Sequence, residues 1–132
     1  DWNGLFDRVK KIINNKSIVF EGSGDEIREY IHVKDAARLS VKILDEKYNN
    51  QALTLTGTKE IKSKDLLQLI FDIAGIEHNI QFLSKKIKPG DRYLLSPYKF
   101  TPKHSIKIMP DEHIDLGEGI LEIIENLHNN LK

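Results

Sequence analysis

The sequence predicts an α/β fold, on three observations. Apolar residues recur at helical spacing in several long segments, short strand-like runs fall between them, and glycine or proline marks most junctions. Strands alternating with helices favour sheet and helix packed in layers. At 132 residues, with 39% hydrophobic and 30% charged, the chain is one domain by length and long enough to bury a core.

The elements follow in order. Leu5, Phe6, Val9, Ile12 and Ile13 make a helical stripe with Asn3 as its N-cap, ending near Asn14-Asn15. Ile18-Val19-Phe20 is a short strand and Tyr30-Ile31-His32-Val33 another. A helix is expected from Asp35 to about Lys47, with Ala37, Val41 and Leu44 on its inner face. Ala52 to Thr56 alternates apolar residues with threonine, a strand that Gly57 breaks. Ser63 caps a helix carrying Leu66, Leu67, Ile70, Ile73 and Ala74, which Gly75 terminates. Ile80 to Leu83 is a strand, Pro89-Gly90 a turn and Tyr93-Leu94-Leu95 a short extended piece. Pro97, Pro102 and Pro110 interrupt the next region. A last helix runs from about Leu116 to His128, with Ile120, Ile123, Ile124 and Leu127 inward.

Composition narrows the function classes. There is no cysteine, so disulfides and thiolate metal sites are excluded. No apolar run reaches the length of a membrane span. The first residues carry no signal-peptide pattern, so a cytoplasmic address is expected. Net charge is zero, which argues against nucleic acid as a partner. Charge is nonetheless uneven. Lys85, Lys86, Lys88, Arg92, Lys99, Lys103 and Lys107 face only Asp91, and acids dominate from Asp111 onward. That basic stretch is either a phosphate-facing loop or a solvated surface with local ion pairs.

A set of motifs in order carries a more specific reading. Gly22-Ser23-Gly24 precedes Arg28-Glu29-Tyr30, then His32-Val33-Lys34-Asp35 opens a helix. Leu53 to Gly57 is a strand ending in glycine before the helix at Ser63, and Lys88-Pro89-Gly90-Asp91 follows as a turn. In order and spacing these resemble the substrate-binding part of the NAD-dependent epimerase/dehydratase family, the extended short-chain dehydrogenases. The resemblance covers nearly the whole chain, residues 1–132, as a single C-terminal domain. It implies a small mixed α/β substrate-binding domain without the family's N-terminal Rossmann core. It also implies a nucleotide-sugar ligand, bound weakly by this portion alone, with Arg28 and Lys88 on the phosphates. Phe20 with the Val19 backbone would serve the base, and Asp91 the ribose. Each has another explanation. Arg28 would suit an ion pair with Asp35 or Glu29, Phe20 simple core packing, and Asp91 a Pro-Gly-Asp turn. Glu29 stands where the family usually has aspartate, and Lys88 where it has arginine, which keeps the charge but loses the bidentate fork. Tyr98 to Pro102 replaces a more polar family stretch.

The resemblance implies a parent enzyme of isomerase or lyase type that uses NAD or NADP, in polysaccharide biosynthesis. No cofactor site is expected in this portion, because its eight glycines never form a Gly-x-Gly-x-x-Gly loop. No catalytic residue is expected either. Tyr30-Ile31-His32-Val33-Lys34 matches the Tyr-x-x-x-Lys pattern of short-chain dehydrogenases, but that pattern needs a helix. On a strand the two Cα atoms would stand ~13 Å apart. His32, His78, His104, His113 and His128 are scattered, and Glu112-His113 near His104 has no metal-site spacing. A stand-alone binding or scaffolding module derived from the family is the alternative. Either way a monomer or weak dimer is expected, with an apolar surface around Leu5, Phe6 and Ile31 left by the missing domain.

Overall fold

The structure, a computed structural model, describes residues 4–58, 60–83 and 104–129. Helix α1 spans Leu5–Asn15 and closes on Lys16, whose left-handed φ of 55° lets its N–H reach the Ile12 carbonyl. Gly4 holds the N-cap position expected of Asn3, which lies outside the described residues. Strand β1 (Ile18–Glu21) turns Ile18 and Phe20 inward and Val19 and Glu21 outward, the repeat of a half-buried strand. It pairs in parallel with β5 (Ile80–Leu83), Phe20 opposite Phe82.

The remaining strands also pair in twos. Strand β2 (Ile27–Glu29) is antiparallel to β4 (Glu60–Lys62), and β3 (Leu53–Leu55) is parallel to β6 (Ile106–Ile108). The core lies between α1, β1, α3 (Ser63–Ala74) and α4 (Leu116–Asn129). Val9, Ile12, Phe20, Leu66, Leu67, Ile70, Phe71, Ile120 and Ile124 meet there. Gly75 ends α3 at a φ of 65°, a conformation that glycine adopts without steric cost. No helix among the described residues is long and apolar enough to cross a membrane.

Four expectations are corrected. The strand expected at Tyr30 to Val33 lies earlier, at Ile27–Glu29, where Glu60–Lys62 supplies its hydrogen-bonding partner. His32 instead caps α2 (Val33–Lys42), its Nδ1 accepting the Lys34 N–H. Helix α2 also ends earlier than Lys47, and Asp45 starts a separate 3-10 turn at Glu46–Tyr48. Its inner face is Leu39 and Asp35, whereas Ala37, Val41 and Leu44 point outward. Asp35 turns inward because the Ile114 N–H and the Arg38 guanidinium receive it. Finally, Lys62 occupies the N-cap of α3, and the Ser63 hydroxyl donates to the Glu26 carbonyl instead of capping.

Candidate functional site

The segment from β1 to β2 is built as one unit. The Gly22 N–H donates to the Leu83 carbonyl at 2.9 Å and extends the β1–β5 ladder. The chain then turns sharply. Gly24 sits at a φ of 86°, and a Cβ there would lie 2.6 Å from the Phe82 ring, so both conformation and space demand glycine. The Glu26 carboxylate accepts the N–H groups of Ser23 and Gly24, each at 2.8 Å. On its other side the loop offers carbonyls. Glu26 O accepts the Ser63 N–H and Gly24 O the Lys64 N–H, both at 2.8 Å. These satisfy two of the donors that the start of α3 would otherwise leave open. Lys62 and Lys64 pair with Asp25 and hold its carboxyl below the usual carboxylate range, Lys64 foremost.

This clasp fixes the residues that follow. Arg28 lies in mid-strand β2, opposite Ile61, and is half-buried. Val19 is well exposed on the outer face of β1. Phe20 is only 8% exposed, its ring in the core with its centroid 6.0 Å from that of Phe82 in an edge-to-face pair. Lys88 and Asp91 lie outside the described residues, as do Tyr93 and Tyr98. Val19 and Phe20 on β1 and Arg28 on β2 thus flank one clasped loop.

Three residues not singled out in this role take part. Glu26 closes the glycine loop. The Arg8 guanidinium, from α1, lies 5.6 Å over the Phe20 ring and donates to the Tyr30 hydroxyl at 3.2 Å. Asp35, expected as a partner of Arg28, is paired with Arg38. A glutamate just past a Gly-Ser-Gly turn was a local signal for the first. The Arg8 contacts are tertiary and carried by no local pattern, whereas Asp35 and Arg38 pair at helical i,i+3 spacing.

Beside this unit lies a cavity of about 500 Å3, lined by Leu5, Tyr30, Ile31, His32, His113 and Glu122 among others. Val19, Phe20 and Arg28 are not in its lining. Leu5 and Ile31, expected on one apolar surface, meet here, and Phe6 is about half exposed. Because His32 Nδ1 accepts the Lys34 N–H, its Nε2 carries the proton toward Glu122 at 3.3 Å. Lys34 also reaches Glu122, at 2.7 Å, and is the chief cause that lowers the Glu122 pKa. Tyr30 precedes α2, and Lys34 is held by Glu122, so the Tyr-x-x-x-Lys match forms no helical pair. No group of three or more metal-ligating side chains occurs among the described residues.

Comparison with known proteins agrees with this architecture. Residues 4–55 match the model of the NAD dependent epimerase/dehydratase family. A Methanocaldococcus jannaschii protein named "Putative UDP-glucose 4-epimerase" is 30% identical over 125 residues, 92% of this chain and 38% of the relative. The solved UDP-glucose 4-epimerase of Thermotoga maritima, with UDP-glucose, has a TM-score of 0.71 at 18% identity, over 98% of this chain and 40% of that one. The dTDP-glucose 4,6-dehydratase of Bacillus anthracis, in complex with NAD, has a TM-score of 0.66 at 15% identity, over 97% of this chain and 40% of that one. The chain thus spans about two fifths of the length of the proteins it matches. With the glycine clasp, the arginine strand and the helix behind it in the family's order, the chain belongs to the NAD-dependent epimerase/dehydratase family.

Proposed function

We propose that this chain is the nucleotide-sugar-binding portion of an NAD-dependent sugar epimerase or dehydratase. The observation that carries the reading is the clasped unit from β1 to β2. It carries the exposed Val19 on the strand that enters the loop and the half-buried Arg28 on the strand that leaves it. A nucleotide-sugar offers a base, a ribose and two phosphates. Arg28 and Lys88 take the phosphates, the Val19 backbone takes the base, and Asp91 takes the ribose. Phe20, with its ring in the core, holds the strand from which Val19 reaches the base.

The nicotinamide cofactor, which would supply hydride chemistry, does not fit these residues. No Gly-x-Gly-x-x-Gly run occurs in the sequence. The N–H of Gly22 is held by Leu83, those of Ser23 and Gly24 by Glu26, and the first ones of α3 by Gly24 and Glu26. On this reading the cofactor is bound by the part of the family fold that this chain does not span. The exposed Val33 and Val41 of α2 and Leu44 just past its end, at 75%, 69% and 78%, offer the apolar surface that such a part would cover.

Titration of the chain with UDP-glucose and dTDP-glucose tests the proposal. Binding is expected with at least one, and Arg28→Ala should weaken it by about 1.5–3 kcal/mol, the range for hydrogen bonds to charged groups. Lys88→Arg should leave binding unchanged or tighten it, since it restores the fork. No binding of either sugar, or full affinity in both Arg28→Ala and Lys88→Ala, would refute the assignment.

A further inference from the structure

We infer that Arg8 is a further diphosphate-binding cation of this site, an inference that rests on the nucleotide-sugar reading above. The argument begins with what surrounds it. Lys34, Arg38, Lys62 and Lys64 each pair with a carboxylate. Arg8 has no carboxylate partner among the described residues. It rests on the Phe20 ring and on the neutral Tyr30 hydroxyl. A guanidinium carries five N–H donors, so a single bond to Tyr30 leaves an edge of its fork available. The aromatic face beneath it holds the guanidinium in place without neutralising its charge.

Its position argues the same way. Arg8 ends the first turn of α1, where the helix dipole disfavours a cation and favours an anion. Helix stability therefore does not account for an arginine there. Phe20 belongs to the strand that presents Val19. Tyr30 lies two positions past Arg28, just beyond the end of β2. Arg8 thus joins the strand read as facing the base to the segment that follows the strand read as facing the phosphates. A semi-buried, oriented and uncompensated guanidinium at that junction suits a diphosphate, whose paired oxygens match the fork.

The test compares ligands with and without phosphate, in wild type, Arg8→Met, Arg8→Lys and Arg28→Ala. UDP and uridine, and dTDP and thymidine, are titrated by NMR so that millimolar affinities are readable. Arg8→Met should lose about tenfold or more of its diphosphate affinity while its nucleoside affinity stays within about twofold. Arg8→Lys should lose less, since it keeps the charge and not the fork. If Arg8→Met fails to fold, the selective loss in Arg8→Lys carries the test alone. Equal losses for nucleotide and nucleoside would show that Arg8 only props Phe20, and would overturn the inference. So would full UDP and dTDP affinity in Arg8→Met when Arg28→Ala has lost it, a result that leaves the broader reading standing. Wild-type chain that binds neither diphosphate would instead overturn the broader reading, and the inference with it.

Discussion

Gly57 is the residue at which fold and site are most directly coupled, and Gly57→Ala tests that coupling. The backbone between β3 and β4 crosses the end of β2 so closely that an alanine Cβ would lie 2.1 Å from the Tyr30 carbonyl oxygen. It would lie 2.9 Å from the Tyr30 carbonyl carbon and 3.3 Å from Glu29 Cγ. The obstacle is main chain, so no side-chain rotation relieves it. Its φ lies outside the left-handed range, so space and not conformation demands glycine. Restoring an ordinary contact requires the two segments to part by about 1 Å, and overpacking of this kind costs ~1–3 kcal/mol. Urea unfolding followed by circular dichroism reads that as a midpoint lower by about 1 M, with the slope unchanged. The displacement falls on Tyr30, whose hydroxyl bond to Arg8 is already 3.2 Å long, so diphosphate affinity should fall as well. An alanine variant with wild-type midpoint and wild-type affinity would refute the reasoning.

Two further outcomes follow from burial and charge. Phe71→Ala empties a site with no solvent exposure at the centre of the core and should cost ~3–5 kcal/mol, read from the denaturant midpoint. A loss under about 1 kcal/mol would mean the α3 face is not packed as described. Asp35 accepts the Ile114 N–H at 2.8 Å and pairs with Arg38, which hold its pKa below the ordinary 3.8, the Ile114 bond foremost. The folded form therefore binds that proton less readily. Its stabilisation is present above the ordinary value and is lost as pH falls through the lower folded one. Stability measured from neutral pH down to about pH 2 should fall less steeply in Asp35→Asn than in wild type, and identical slopes would contradict this.

Much of the fold was legible in the sequence, for a physical reason that also explains the failures. Helices α1, α3 and α4 each present a stripe of three- and four-residue repeats to one core, so periodicity alone located them. Gly75 was legible because a helix end in the left-handed region strongly favours glycine. Strand β2 was misplaced because three residues of ladder are defined by their partner at Glu60–Lys62, not by their own apolar content. The more apolar Tyr30 and Ile31 line a cavity instead. The face of α2 was inverted because Asp35 takes an inner position through an N–H at Ile114, far along the chain. For the site, a motif pointed to Arg28 and Gly24. Arg8 was hidden, since nothing local distinguishes an arginine over a phenylalanine from one in solvent.

The same contacts divide the molecule by how it is held. The loop from Gly22 to Glu26 is fastened on both sides, by Leu83 through the ladder and by Ser63 and Lys64 through their N–H groups. Arg28 therefore sits on a support that this chain builds from its own backbone. Helix α2 is different. It is tied at its start by His32 and Lys34 to Glu122 and by Asp35 to Ile114, and near its end by Lys42 to Asp111. Its apolar residues Val33 and Val41, and Leu44 just beyond its end, face outward. The parallel ladder of β3 and β6 that follows has two strands among the described residues, and Ile106 is half exposed. Parallel strands are ordinarily covered on both faces, and two strands alone are marginal in water. The phosphate side of the proposed site is thus self-supporting, whereas α2, β3 and β6 leave apolar surface open among the described residues. On the proposed reading, that division places the ligand on the rigid wall and leaves the apolar face for the rest of the family fold.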